Sequence, residues 1–166
     1  ATPKRIVGPH FLYFAKCAVY LVAEDIAAKT IKTFAVSRIE MAEMLPDEYE
    51  APAVDPAEYF RGSFGVYRSR KIETVKIRFA SHIAPYIRER IWHESQRVVQ
   101  TSKGEIELQL DVGITPDFVQ WVLGFGSGAE VLEPGKLKDA LTRDADSVVR
   151  MYSEQGFRTK QKKRAA

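Results

Sequence analysis

The feature that most constrains this chain is residues 117–134, where a helical pattern gives way to closely spaced glycines and then to a short apolar run. Thr115, Pro116 and Asp117 predict the helix start, because a hydroxyl, a first-turn proline and a carboxylate each suit a helix N-terminus. Apolar residues then recur at helical spacing, namely Phe118, Trp121, Val122, Leu123 and Phe125. We expect a helix, a turn and a strand in that order.

The glycines of this stretch resemble a nucleotide-binding loop only superficially. Such loops follow a strand and open a helix, whereas Gly124, Gly126 and Gly128 follow a helix and precede the strand predicted at residues 129–132. Glycine adopts left-handed backbone angles at little cost, so we interpret all three as the end of the helix. Pro134 closes the strand and opens a final helix.

The composition is typical of a soluble globular protein, with 45% hydrophobic and 28% charged residues in a chain of 166. No apolar run approaches the roughly 20 residues of a membrane helix, so we expect no membrane partner. Cys17 is the only cysteine, which excludes an internal disulfide and suits the cytoplasm. Its apolar neighbours predict a buried thiol.

The net charge of +3 depends on the last ten residues. Residues 157–166 carry five Lys or Arg and no acid, so the rest of the chain has a slight excess of acid. This basic tail is predicted to be disordered, with nonspecific contact to nucleic acid as the alternative to simple solvation.

A change of composition divides the chain. Residues 1–45 form a small β unit with strand-like runs at 11–14, 18–23 and 30–36, the last continuing to Arg38 and Ile39. Residues 40–58 contain seven acids and three prolines but no Lys or Arg, which predicts a linker (residues 46–63) with a helical turn at 56–60.

The region 64–156 begins with the opposite charge, since residues 61–97 hold nine Lys or Arg against three Glu. Apolar residues alternate in 72–80 and 105–112, and 95–100 is a further strand that leads into a hairpin turn at 101–104. A helix between the first two strands is predicted from Ile83, Ile87 and Ile91, and an amphipathic C-terminal helix from Leu137, Leu141, Val148 and Tyr152.

The resulting order β-α-β-β-α-β, followed by a helix, is the split pattern of ferredoxin-like folds and indicates an α+β protein. In that topology the first and third strands are central neighbours. Lys76 and Arg78 would then lie beside Glu105, Glu107 and Gln109 on one face, which is either a face of cross-strand charge pairs or a ligand face.

Catalytic patterns are missing from the sequence. His10, His82 and His93 lack the spacing of metal ligands, and no nucleophile motif is present. Residues 92–96 hold several reactive side chains at a helix-to-strand junction. We interpret Trp92 as a core or interface residue and His93 and Glu94 as solvated polar ends, with a catalytic role as the alternative. We therefore expect no cofactor, no metal and no enzyme activity; a hydrolase is the weakest alternative.

Several stretches resemble a known family. Residues 19–21 and 32–39 resemble the second half of a WYL domain, and residues 5–9 are similar to the segment before it. The region 64–152 resembles the C-terminal extension that accompanies WYL domains in bacterial transcription factors. The motifs that carry this second resemblance are residues 89–96, 121–126 and 130–134.

The resemblance implies a partial SH3-like β-barrel followed by a ferredoxin-like module, with DNA bound through an N-terminal helix-turn-helix that would precede Ala1. It implies a pocket for a nucleotide or single-stranded nucleic acid, formed by Tyr20, Lys32 and Arg38. Lysine stands at position 32 where the family usually has arginine, which removes a planar bidentate donor. A secondary basic surface would comprise Lys76, Arg78, Arg88 and Arg90.

Two functions follow from these expectations. The first is the ligand-sensing and dimerisation region of a bacterial transcription regulator, which forms a homodimer. The alternative is a self-association module that has no ligand pocket of its own.

Overall fold

The computed structural model describes residues 4–50, 52–69, 71–101 and 104–164, with side chains as far as Ser153. The chain divides into two compact units, Ala1–Val66 and Tyr67–Ala166. Each unit contains one antiparallel sheet, and helices accompany both, in agreement with the predicted α+β class.

The first unit is a meander of β1 (Val7–Ala15), β2 (Ala18–Asp25) and β3 (Thr30–Ala35), in the order β1-β2-β3. The three predicted strands are confirmed. The third is shorter than predicted, because Val36–Arg38 forms a 3-10 helix that is closed by a hydrogen bond from Ile39 N to Val36 O at 3.0 Å.

The turn between β1 and β2 consists of Lys16 and Cys17, which have φ angles of 49° and 58°. Two successive residues with positive φ match the twist of paired strands, so they suit a two-residue hairpin. Cys17 is exposed at this turn. The prediction of a buried thiol is therefore wrong, because the apolar residues that flank Cys17 belong to two strands that the turn separates.

One face of this sheet is covered by the acidic segment that follows it. The predicted helical turn is present as α1 (Pro56–Tyr59), where Asp55 Oδ1 accepts a hydrogen bond from Ala57 N at 2.9 Å. Tyr59 is buried, and its ring centroid lies 6.0 Å from that of Phe11 on β1. The segment predicted as a linker therefore also supplies part of the first unit's core.

Tyr49, in the middle of the acidic segment, binds that segment to the first sheet. Its hydroxyl donates a hydrogen bond of 2.6 Å to Glu24 Oε2, and this bond raises the pKa of Tyr49. The ring lies so close to Gly8 that a Cβ there would overlap it. Glycine at position 8 therefore allows the close approach of the tyrosine.

The second unit has the predicted order of elements. Its elements are β4 (Glu73–Phe79), α2 (Ala84–Arg88), β5 (Arg97–Gln100), β6 (Ile106–Val112), α3 (Pro116–Leu123), β7 (Ala129–Glu133) and α4 (Gly135–Arg164). The strands pair in the order β5-β6-β4-β7, and every pair is antiparallel. The prediction that the first and third strands are central neighbours is confirmed. The predicted hairpin turn includes residues 102 and 103, which lie outside the described residues.

The core of the second unit lies on one face of this sheet. Val75, Ile77 and Phe79 of β4 are fully buried, and so are the alternate residues of β6. The helices cover this face through Ile87 and Phe118, among others. Burial of alternate residues is what the sequence pattern predicts.

Helix α2 ends earlier than predicted, and Ile91 lies outside it with 87% of its surface exposed. The last carbonyl groups of α2 accept hydrogen bonds from side chains instead of from the backbone of a further helical turn. Trp92 Nε1 donates to Ile87 O at 3.1 Å, and Arg90 Nη1 donates to Tyr86 O at 3.1 Å.

The start and end of α3 differ from the prediction in detail. The Thr115 side chain makes no capping hydrogen bond. Among the three glycines only Gly126 has a positive φ, 54°. The prediction of a left-handed conformation is therefore wrong for Gly124 and Gly128. Gly128 is needed for space, because a Cβ there would overlap the Ile83 side chain.

Among the residues of α4 whose side chains are described, those of the first turns pack on the unit. Leu137 is fully buried, whereas Val148 and Tyr152 are 47% and 70% exposed, so the predicted apolar face is largely open to solvent. The backbone stays helical through Arg164, although the sequence predicts disorder from residue 157. Among the described residues, no helix is long and apolar enough to cross a membrane.

The contact between Gly128 and Ile83 can be tested by mutation. Gly128→Ala is expected to lower the free energy of unfolding by about 1 kcal/mol, at the low end for an overfilled site, because the end of the half-buried Ile83 side chain must shift to admit the new methyl group. Urea unfolding measures the change. Gly135→Ala is the control, since a Cβ at Gly135 meets no atom within 4 Å, and equal effects of the two variants would contradict the packing role.

Candidate ligand site

Tyr20 lies in an aromatic row on the first sheet. It pairs with Tyr13 of β1 and with Ala35 of β3, and paired residues of antiparallel strands share a face. Phe60 stacks on Tyr13 with 4.1 Å between ring centroids and 24° between planes. We name Tyr13, Tyr20 and Phe60 the aromatic face; each of the three is half-buried.

Arg38 stands close in sequence to this row. It follows Ala35, the partner of Tyr20, by three residues, and it is exposed at the end of the 3-10 helix. Its guanidinium has no ion-pair partner in the part of the chain that the structure describes. Arg38 is therefore a cation that remains available to an external anion.

Lys32 is not brought together with Tyr20. It pairs with Ala23, so it lies on the opposite face of the sheet from Tyr20. Its Nζ donates to Asp25 Oδ2 at 2.8 Å, and Arg5 Nη1 donates to the same oxygen at 2.8 Å. The structure therefore separates the three residues that were predicted to form the pocket. Tyr20 belongs to the aromatic face, Lys32 is paired on the opposite face of the sheet, and Arg38 is exposed in the 3-10 helix after β3.

Asp25 is the centre of that ion-pair cluster. Its side chain is only 4% exposed, and Oδ1 accepts a further hydrogen bond from Ala28 N at 3.2 Å. The hydrogen bond from Lys32 is the largest cause that lowers the pKa of Asp25 from 3.8 to about 2. The buried carboxylate therefore holds Lys32 in a structural role.

The predicted secondary basic surface is divided by the second sheet. Lys76 and Arg78 lie on the face away from the core and pair with β7, Lys76 with Glu133 at 3.2 Å and Arg78 with Glu130 at 3.0 Å. Gln109 and Glu107 are their neighbours on β6, as predicted, but Glu105 lies before that strand. The result agrees with charge pairing, although the partners belong to β7.

Arg88 and Arg90 lie in and just after α2, which packs on the apolar face of the second sheet. They are therefore on the opposite side of that sheet from Lys76 and Arg78. Arg88 is exposed, while the Arg90 guanidinium carbon lies 3.8 Å from the ring centroid of Tyr86. This cation–π contact orients Arg90 beside a ring that is 45% exposed. The four basic residues therefore do not form one surface.

The reactive side chains of residues 92–96 bond to one another and to nearby backbone. His93 Nδ1 lies 2.8 Å from Ser95 Oγ, which accepts a hydrogen bond of 2.8 Å from Asp111 N. Burial lowers the pKa of His93. These bonds fix the junction before β5, so the interpretation of His93 as a solvated polar end is wrong. In the described ranges no three His, Cys, Asp or Glu side chains group as metal ligands.

Comparison with known families places two models on the chain. Residues 1–44 match the WYL domain, and residues 71–149 match the WCX domain. The chain contains a WYL domain and a WCX domain. The predicted family resemblance is therefore confirmed, and the WYL match includes Tyr20, Lys32 and Arg38.

A solved structure similar to this chain is proteasome accessory factor B/C (PafBC) of Arthrobacter aurescens, with 18% identity and a TM-score of 0.42. The match covers 90% of this chain but only 23% of that protein. No match was found among curated proteins. Phe60 lies between the WYL and WCX matches, so neither family model indicates it.

The Asp25 cluster of the WYL domain predicts a specific pH dependence. A carboxylate with a lowered pKa stabilises the fold above its unfolded value of 3.8, and this stabilisation is lost as pH falls towards about 2. The difference in free energy of unfolding between the parent and Asp25→Asn should therefore decrease as pH falls from 3.8 towards about 2. Chemical unfolding at several pH values measures it, with exposed Asp47→Asn as control. An advantage that is constant with pH would contradict the ion-pair role.

Proposed function

We propose that this chain is the ligand-sensing region of a bacterial transcription regulator, and that the ligand is a nucleotide or single-stranded nucleic acid. The observation that carries the proposal is the aromatic face, together with the exposed Arg38 that follows the strand partner of Tyr20 by three residues. Aromatic rings stack on nucleobases of any sequence, and a free guanidinium forms charge-assisted bonds to phosphate. WYL-domain membership adds the regulatory context in which such a ligand acts.

The wider architecture belongs to the same proposal. The first unit would be part of an SH3-like barrel, and the second a ferredoxin-like module, as its strand order β5-β6-β4-β7 supports. DNA would be bound by an N-terminal helix-turn-helix of the whole regulator, working as a homodimer in the cytoplasm. We assign the chain no enzyme activity, since the His93 and Ser95 side chains are engaged in the turn before β5.

Binding of short single-stranded DNA and RNA, followed by fluorescence anisotropy, tests the site. Tyr20→Ala and Arg38→Ala should each weaken binding about tenfold, because a stacked base or a phosphate contact is lost. Lys32→Ala should weaken it less, since Lys32 is paired with Asp25. Lys4→Ala is the matched charge control, being 85% exposed ahead of β1.

A salt series on protein with and without residues 157–166 separates the folded site from the basic tail. Affinity that survives removal of the tail and falls with rising salt would indicate phosphate contacts in the folded units. If Tyr20→Ala and Arg38→Ala both bind like the parent, the proposed site is wrong.

Self-association is a second candidate, favoured by the other face of the first sheet. Leu12 and Phe14 are 68% and 72% exposed, and Val19, the partner of Phe14, is 40% exposed. Neighbouring exposed apolar side chains on one face are typical of a contact surface between proteins. A second copy of this chain is the occupant that we propose.

Light scattering after size-exclusion chromatography tests this candidate. Phe14→Glu should shift a dimer to a monomer, because a charge in an apolar contact is costly to desolvate. Ile91→Glu is the control, being 87% exposed in the second unit. A parent protein that is monomeric at high concentration would exclude self-association through this face.

A further inference from the structure

A groove runs between the start of α3 and one side of α4, wholly inside the second unit. Its volume is about 330 Å³, at the lower end of the range for small-molecule sites. Ile114, Val119 and Ala140 supply apolar walls. A ligand that fits this space is of metabolite size and carries a short apolar group.

The polar rim of the groove contains one unpaired cation. Arg143 lines the groove, is exposed and has no ion-pair partner in the described ranges of the chain. Lys136 also lines it, but its Nζ donates to Glu73 Oε1 at 3.1 Å, and that bond lowers the pKa of Glu73. Arg143 is therefore the group that would receive a carboxylate, which a guanidinium binds in bidentate fashion.

An acidic side chain stands directly beside it. Asp144 follows Arg143 on α4 and also lines the groove, again without an ion-pair partner among the described residues. A carboxylate at this place disfavours a simple anion as ligand, whereas it suits an ammonium group. Adjacent positive and negative side chains match a ligand whose own opposite charges are a few bonds apart.

Thr115 adds an unused hydrogen-bonding group. It lines the groove and is 5% exposed, and its Oγ1 is buried without a hydrogen-bond partner. Buried hydroxyl groups are normally bonded, because the loss of water is otherwise uncompensated. The hydroxyl did not become the cap of α3 and is left for another partner.

We propose that the groove binds a free α-amino acid with an aliphatic side chain. The carboxylate bonds to Arg143, the ammonium group bonds to Asp144, and the side chain enters between Ile114, Val119 and Ala140. The site is independent of the aromatic face, so it would give the chain a second, separate ligand input.

Calorimetric titration of the full chain with L-leucine is the test. Saturable binding is expected, and two analogues that each lack one charge, 4-methylpentanoate and 3-methylbutylamine, should bind at least about tenfold more weakly. Failure of L-leucine to bind, or equal binding of either analogue, overturns the proposal. Nucleic-acid binding is measured separately on the same sample by fluorescence anisotropy. Loss of L-leucine binding can therefore be distinguished from a lack of nucleic-acid binding at the aromatic face.

Variants on α4 locate the site. Arg143→Ala and Asp144→Asn should each weaken L-leucine binding at least about tenfold. Arg150→Ala and Asp146→Asn are matched controls, because both residues are exposed on α4 outside the groove and should bind as the parent does. Unchanged affinity in Arg143→Ala overturns the assignment.

Thr115→Val separates a ligand role from a structural role. The exchange keeps the shape of the side chain and removes a hydroxyl that bonds to nothing in the fold, so thermal stability should be unchanged or higher. L-leucine affinity should nevertheless fall several-fold. A stable Thr115→Val variant that binds L-leucine as the parent does would exclude the Thr115 hydroxyl from ligand binding.

Discussion

The register between β4 and β6 is the constraint on which the second unit depends. It sets Val75 opposite Leu110, Ile77 opposite Leu108 and Phe79 opposite Ile106, and each of these side chains is fully buried. A slip by one residue would turn the charged residues between them towards the core. The helices pack on the face that this register creates, so the groove between α3 and α4 also depends on it.

The first unit needs additional packing, because three strands bury little apolar surface by themselves. Its acidic segment returns to one face and places Tyr49 and Tyr59 against β1 and β2, while Asp25 gathers Arg5 and Lys32. These two arrangements decide which polar groups stay free. Lys32 forms an ion pair within the fold, whereas the exposed Arg38 of the 3-10 helix has no ion-pair partner among the described residues.

The sequence indicated some residues of the candidate ligand site and missed others. Tyr20 and Arg38 were indicated by family resemblance, and the structure places both near the end of β3. Lys32 was indicated by the same resemblance, yet an acid seven residues away binds it. Phe60 was missed because it lies in a segment whose acids and prolines are typical of a linker, although it stacks on Tyr13.

The sequence by itself determined the elements and their order, since the alternation in β4 and β6 and the helical spacing in α3 are local properties of the chain. The element order also predicted that β4 and β6 are neighbours, whereas only the tertiary structure decided which charges meet. Arg78 bonds to Glu130, 52 residues away, and Tyr49 to Glu24 across 25 residues. Such contacts depend on how distant segments pack, which the periodicity of any one segment does not encode.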